Sequence, residues 1–481
     1  MKKEVTFALN YALNKGFQIH PDAFKILENV DVKKLEKIIK EIVREKTKQK
    51  LFQINQDDLE TYLGIKEDLD LQSEIKVLSD PTLKITSGEG VKGYNALFSS
   101  RFNKLKRIIS DRPESRMLKS LASIKSAKFE DDLYVCGLVT EKKSERNITK
   151  LMLEDPSGSF EGIIFDDDLQ KTVDTLLLDQ FIMIRVGMGK NSGFIIKDII
   201  FPDIPEQVVN KSETEAYAVF LSDLHIGSKY FMEEEFSDFV AWLSSPDPVA
   251  RKIRFVLIGG DILDGVGIYP NQNKELVCQT IEEQLKKAEG LIDKIPKNIK
   301  IIIMPGNHDP GRRALPQPAI PKKYNSSLWE RENVIMIGNP SMISLNGVKV
   351  LMFHGQSIDD IVKTTPGMKY DEPTNVMRHL LKVRHLSPIY GSQTPIAPEM
   401  EDLLVIEDIP DIFHVGHVHK AQLDMYKGIL LVNSGSWQKQ TPFQASVGMT
   451  PNPGIALMVN LKTFQVFHQN YNSDSDNVLQ S

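Results

Sequence analysis

Apolar positions change their period three times along the chain, and each change marks a new kind of element. Val5, Ala8, Leu9, Ala12 and Leu13 recur at helical spacing and stop before Gly16. Pro21 opens a second such run through Phe24 and Leu27. Val32, Leu35, Ile38, Ile39, Ile42 and Val43 predict a third helix, and Asp57 to Leu63 a short fourth. Residues 1–65 therefore read as a helical module. Residues 66–125 read as a linker, with loop-forming Ser79-Asp-Pro-Thr82 and Ser87-Gly-Glu-Gly90, followed by a basic helical segment from Tyr94 to Leu121.

Over residues 126–205 the pattern shortens to strands. Five runs, starting at Leu133, Lys150, Phe160, Gln180 and Gly193, are broken by Asp155-Pro-Ser-Gly158, a tight hairpin turn. Five strands in so short a stretch suit an OB-type β-barrel, and Pro202 and Pro205 mark its exit. Over residues 215–481 strands alternate with helices. The predicted core strands are Ala218–Leu221, Arg254–Ile258, Ile299–Met304, Lys349–Phe353 and Asp411–Val415, with helices over 232–244, 274–294 and 373–384. Strands near 421–426, 428–432, 455–460 and 464–468 finish the chain. The expected fold class is α+β multidomain, its last part a two-sheet β-sandwich flanked by helices.

Composition adds limits. A length of 481 residues suits about three domains. A hydrophobic fraction of 41% and a charged fraction of 26% are ordinary for a globular chain. No apolar run approaches the ~18 residues of a membrane span. Cys136 and Cys278 lie far apart and are expected to stay reduced, which places the chain in the cytoplasm. The net charge of -6 argues against binding nucleic acid by bulk charge. Local basic stretches remain. Lys33 to Lys50 on the third helix read as a solvated face before a partner surface, whereas Arg101, Lys104, Lys106, Arg107, Arg112, Arg116 and Lys119 form a candidate phosphate contact. Glu154, Asp155, Asp166, Asp167 and Asp168 on the barrel would repel phosphate, which favours a packing or subunit-contact role there.

Candidate chemistry sits just past the strands of the last region. Five junctions carry it: Asp223-Leu-His225, Gly260-Asp261, Gly306-Asn307-His308-Asp309, His354-Gly355 and Gly416-His417-Val-His419. Five of the ten histidines fall here, each in a junction that also carries Gly, Asp or Asn, so a purely structural role for the whole set is improbable. Asp223, His225, Asp261, Asn307, His354, His417 and His419 form a mixed oxygen and nitrogen donor set without thiolate. Such a set favours Mn, Fe or Zn over a soft-metal site, with Mg or Ca less suited to the imidazoles. Seven donors exceed one ion, and Asp261 is the carboxylate expected to bridge two. Alternation in Asp223-x-His225 and His417-x-His419 is expected to turn both side chains of each pair to one side of an extended backbone. His308 is the candidate proton donor. Asp264 and Asp309 are candidates to orient a histidine. His414 reads as packed or as supporting the ligands, and His20, His379, His385 and His468 as structural.

In order, these junctions resemble the calcineurin-like metallophosphoesterase superfamily. That resemblance implies Asp223, His225, Asp261 and His419 around one metal, and Asp261, Asn307, His354 and His417 around the other. It makes His308 the catalytic histidine. Arg312-Arg-Ala-Leu-Pro-Gln-Pro-Ala, Arg384-His-Leu-Ser-Pro-Ile-Tyr-Gly, Thr394-Pro-Ile-Ala-Pro-Glu and Asn433-Ser-Gly-Ser-Trp-Gln-Lys-Gln-Thr-Pro-Phe443 are similar, more narrowly, to the small subunits of archaeal D-family DNA polymerases (DNA polymerase II). The narrower resemblance implies a 3′-to-5′ exonuclease holding two divalent metal ions, Mn first, with Fe, Zn or Mg as alternatives. Its implied partners are a DNA polymerase II large catalytic subunit and the 3′ ends of single-stranded or primer DNA. Gly265 and Asp309 depart from the protein phosphatases of the superfamily, which carry Arg and Glu there. A metal-containing assembly scaffold and a stand-alone metallophosphatase are the competing readings.

Overall fold

A computed structural model describes residues 3–21, 23, 35–48, 51–55, 58–59, 73–124, 132–145, 148–189, 193–324, 326–446 and 448–472. The chain divides into two compact units, Met1–Gln72 with Trp242–Lys252, and Ser73–Ala241 with Ile253–Ser481. In the first, the helices Lys3–Asn14 and Leu35–Lys48 bury Val5, Ala12, Leu35, Ile39 and Ile42 together with Phe17 and Ile54. Gly16, at φ +83°, ends the first helix as its position predicts. The strands Gln18–Ile19 and Gln53–Ile54 pair in parallel. The expected helices through Phe24 and Leu27 and over 57–63 lie outside the described residues, apart from a few positions at their edges.

The second unit holds a closed barrel and a two-sheet sandwich. In the barrel, Leu133–Glu145, Ile148–Asp155, Gly158–Ile164, Phe194–Ile200 and Phe181–Met188 follow one another, and Phe181–Met188 returns to pair with the first strand. Alternate residues Val135, Val139, Leu151, Leu153, Phe160, Ile182, Ile184 and Ile196 fill its interior. The acidic run Asp166-Asp-Asp168 acts locally. The Asp166 carboxylate accepts from the backbone N–H groups of Asp168 and Leu169 and caps the helix Asp167–Asp174.

One sandwich sheet runs Val334–Met336, Lys300–Met304, Ile253–Gly259, Tyr217–Leu221, Ile455–Asn460, Val466–Asn470. Its first four strands are mutually parallel. The other runs Ala421–Tyr426, Ile429–Ser434, Ile412–Val415, Val348–Phe353, Ser341–Leu345, Ile75–Ser79. Phe220, Phe255, Leu257 and Ile302 of the first meet Ile343, Val350, Met352 and Val432 of the second. The intervening residues Leu351, Phe353, Phe413 and Leu431 face the other way, onto Val376, Met377 and Leu380 of the helix Pro373–Val383. Period-two alternation therefore builds two apolar layers from one sheet.

Three differences from the sequence reading have local causes. The segment read as a linker supplies the strand Ile75–Ser79, which pairs antiparallel with Ser341–Leu345 at the sheet edge. Both strands are short and Ile75–Ser79 is half exposed, so neither carries a strong apolar period. The helix expected over 274–294 starts at Ile281, because Thr280 and Glu283 close a reciprocal capping box there. The basic segment is a helix only over Gly90–Ile108. Arg112 precedes Pro113 and is extended.

The basic residues of that segment are largely occupied within the unit. Arg101 is buried, with Nε 2.8 Å from Asp402 Oδ2 and Nη1 donating to the carbonyls of Pro388 and Asp179. Lys104 pairs with Glu401 and Glu407, Arg107 pairs with Glu407, and Arg112 donates to the carbonyls of Phe201 and Asp203. These cations join helix, barrel exit and sandwich. Among the described residues, no helix is long and apolar enough to cross a membrane. Cys136 and Cys278 are both free.

Candidate metal centre

The parallel strands Tyr217–Leu221, Ile253–Gly259 and Lys300–Met304 end side by side, as do Val348–Phe353 and Ile412–Val415 in the other sheet. Their five following loops therefore converge at one edge of the sandwich. Hydrogen bonds continue beyond the strands: Asp223 N donates to the Gly260 carbonyl at 2.9 Å, His225 N to that of Asp261 at 3.0 Å, and Gly416 N to that of His354 at 2.9 Å. The backbone is not extended there. Asp223, His225, Asp261, His417 and His419 all take positive φ, between 50° and 71°. The expected alternation is thus replaced by left-handed turns, which cost about 1–2 kcal/mol per non-glycine residue. Such turns persist where the surroundings over-determine them. Here they aim side chains from successive loops at one volume.

Asp261 lies at the middle. Its Oδ2 is 3.3 Å from His354 Nε2 and 3.9 Å from the Nε2 atoms of both His225 and His308. Its Oδ1 accepts the His308 backbone N–H at 2.8 Å. On one side Asp223, His225 and His419 bring donor atoms within 4.8 Å of one another, and on the other Asp261, His354 and His417 do so. Asn307 Oδ1 is 3.0 Å from His354 Nε2. All seven candidate donors and His308 are thus assembled. Gly306 and Gly416 leave the room: a Cβ at Gly306 would lie 2.1 Å from Asp261 Oδ1, and one at Gly416 2.6 Å from Asp223 Oδ2.

Each imidazole is aimed by a partner on its far nitrogen. His225 Nδ1 is 3.1 Å from Asp264 Oδ1, His354 Nδ1 donates to the Gly259 carbonyl at 2.9 Å, and His308 Nδ1 to the Asp264 carbonyl at 2.7 Å. His417 Nε2 is 3.2 Å from Asp359, and His419 Nδ1 2.9 Å from Gln444 Nε2. Asp264 is itself held by Gln438 and Gln272. Asp359, Gln272, Gln438 and Gln444 escaped the sequence reading, because an amide or a helical Asp has no local signature. Gln438 lay within the Asn433–Phe443 stretch that carries the narrower resemblance.

Asp309 does not orient a histidine. Its carboxylate accepts from the backbone N–H groups of Ile262, Leu263 and Gly306, and so pins two of the converging loops together. His414 fits both of its readings. It packs edge-on against Phe220, and its Nε2 lies 3.0 Å from Ser434 Oγ. Ser434 donates to Ser222, and Ser222 to Asp223 Oδ2. His379 is buried on its helix, and His385 sits 2.9 Å from Asp402; both belong to the packing.

Charge in the centre is finely balanced. Burial alone would lower the pKa of His354, but Asp261 and Asp223 push it up to about 10. Against burial, His419 and His354 hold Asp223 down to about 2, and His354 and His308 hold Asp261 well below the carboxylate range. Burial lowers His308 and His419. Burial and the Asp261 charge raise Asp309 to about 6. One observation tests the donor set against a cation. Asp223 Oδ1 is buried without a hydrogen-bond partner, although His225 Nε2 and His419 Nε2 approach each other to 3.0 Å beside it. A buried carboxylate oxygen without a hydrogen bond, 3.5 Å from His419 Nε2 and 3.9 Å from His225 Nε2, fits a borderline divalent cation among them.

A sequence profile of the B subunits of DNA polymerases alpha and epsilon matches residues 218–423, the span holding all five of these loops. Over 386 residues the chain is 41% identical to the DNA polymerase II small subunit of Archaeoglobus fulgidus, covering 79% of this chain and 77% of that one. The chain belongs to the family of archaeal DNA polymerase II small subunits. The Methanothermobacter thermautotrophicus small subunit is 36% identical over 80% of this chain and 81% of its own, and that of Pyrococcus furiosus 34% over 84% and 68%. Within this small-subunit fold, the Asp309 carboxylate explains one departure from the phosphatase pattern. It fits directly between three backbone N–H groups, and a glutamate would carry an extra methylene into a buried site.

Proposed function

We propose that the chain is the proofreading subunit of a heteromeric replicative DNA polymerase, a two-metal 3′-to-5′ exonuclease acting on single-stranded or primer ends. Its partner would be the large subunit that carries the polymerase site, as the relatives' name as small subunits suggests. The observation that carries the reading is the central Asp261 carboxylate, with imidazole nitrogens 3.3 Å and 3.9 Å away from both sides. Asp223, His225, Asp261 and His419 would hold one divalent cation, and Asp261, Asn307, His354 and His417 the other. Mn suits the set, with Fe, Zn or Mg as alternatives. When bound, such a pair activates a water and offsets charge on the departing oxygen.

The chain's own groups supply the rest. The Asp264 carbonyl holds His308 Nδ1, so Nε2 faces the cavity from a side chain 16% exposed, more than the buried carboxylate beside it. A phosphodiester anion there favours the imidazolium, which gives its Nε2 proton to the departing 3′ oxygen. Lys363 lines the same cavity and would meet the strand phosphate. The test is Mn-dependent, chelator-sensitive shortening of a 5′-labelled single strand by the purified chain. Loss of that activity in His308→Ala, with bound metal retained, is expected. A wild-type chain that binds Mn but never shortens the strand would falsify the reading.

A further inference from the structure

The cavity over the centre is about 400 Å³. The His and Asp side chains of the centre line it, and so do Tyr269, Tyr370, Phe443 and Met449. Tyr269 and Phe443 stack nearly parallel, with ring centroids 5.8 Å apart and planes 19° from each other. Phosphoester chemistry among the His and Asp side chains does not need an aromatic pair beside it.

Both rings sit on supported segments. The Tyr269 hydroxyl donates to Glu275 Oε2 at 3.0 Å. Phe443 rides on the short helix Pro442–Ser446. That helix is capped by reciprocal bonds, Thr441 N donating to Gln444 Oε1 at 3.0 Å and Gln444 N to Thr441 Oγ1 at 3.2 Å. The same Gln444 is 7% exposed and reaches His419, a candidate ligand. One residue earlier, Phe443 is 52% exposed. Its open face lies at the cavity, and covering it with a flat partner would contribute at most about 1.5–3 kcal/mol.

We infer that the Tyr269–Phe443 pair is the stacking platform for the terminal base of an unpaired 3′ end, with Phe443 offering the open face. The inference rests on the phosphodiester reading of the same centre and names its substrate more closely: a 3′-terminal nucleotide that still carries its base. On the phosphodiester reading, the ligand that puts phosphate among the His and Asp side chains and a flat group on the nearby rings is a nucleotide. Stacking is blind to sequence, since every base has a π-face, which suits an end-trimming enzyme. A paired end keeps its base inside the duplex and cannot use the platform.

The experiment is anisotropy binding by the full chain, with Mn present, of two short single strands, one ending in an ordinary 3′ nucleotide and one in an abasic site. Each carries a phosphorothioate at the terminal linkage. Wild type is expected to bind the base-bearing end about tenfold more tightly. Phe443→Ala is expected to bind both alike, and Phe443→Trp to keep the preference. Equal binding by wild type, or an undiminished preference in Phe443→Ala, overturns the inference. Displacement of the strand by free dAMP at the strand's own affinity also overturns it, since the site would then take a free nucleotide. A failed nuclease reading would look different: the strand binds with the preference but unmodified ends are never shortened.

Discussion

The backbone N–H of His417 donates to Asp223 Oδ2 at 2.8 Å. This bond joins the loop after one sheet to the loop after the other. The second oxygen of the same carboxylate has no hydrogen-bond partner. One carboxylate thus ties the two sheets and faces the candidate cation. Asp223→Asn keeps an acceptor for His417 but removes the charge. The apo variant should keep its fold by circular dichroism and lose the Mn-induced rise in melting temperature. That rise corresponds in wild type to roughly 2.7 kcal/mol at a metal concentration of about 100 Kd. An unchanged rise would count against Asp223 as a ligand.

Asp264 touches His225 through its side chain and His308 through its carbonyl. Asp264→Asn leaves the carbonyl that holds His308 in place, and it weakens the side-chain hold on His225 and the bonds from Gln272 and Gln438. Metal affinity is expected to fall about 10–100-fold, the usual effect of removing a group that orients a ligand. Isothermal titration with Mn checks this. An unaltered affinity would make Asp264 a packing residue.

Asp309 gives a pH dependence of defined sign. Its folded pKa is raised to about 6 by burial and by Asp261, above the ordinary carboxylate value of 3.8. The folded state therefore binds the extra proton between these values, and stability falls as pH rises through the window. In chelator, the stability of wild type minus that of Asp309→Asn should decrease from pH ~4 to pH ~6, by up to roughly 3 kcal/mol, and then level off. Urea unfolding at several pH values reads it. A difference that grows with pH would reverse the assignment.

Arg101 and Asp402 are 1% and 0% exposed, and His385 shares the same carboxylate. Arg101→Met leaves a buried charge short of its main partner. A loss of about 3–5 kcal/mol is expected, measured as a lower urea midpoint at constant slope. A loss under about 1 kcal/mol would place the pair among surface-like ion pairs.

Much of this was readable in the chain. The core strands from Ala218 to Val415 are buried on both faces, so they appear as continuous apolar runs that end at Gly, Asp and His. The barrel shows its period of two from Leu133 onward. Ile75–Ser79 was unreadable because an edge strand of five half-exposed residues has no period of its own. Its place depends on Ser341–Leu345, more than two hundred and fifty residues away. The basic helix misled for a related reason. Charge is local in sequence, but the acids that answer it, Asp402 and Glu407, come from a distant loop.

Which residues are candidate ligands, and that they follow strands, was legible along the chain, because apolar runs ending at Gly, Asp and His are properties of neighbours in sequence. How those side chains are aimed came from packing across the fold. Left-handed turns at Asp223, His225, Asp261, His417 and His419 take the place of an extended backbone. Gln272, Gln438, Gln444 and Asp359 hold the rings and carboxylates, and Phe443 faces the cavity beside them. Aim depends on contacts across the fold, and those are set by how two sheets and a short helix pack at one edge.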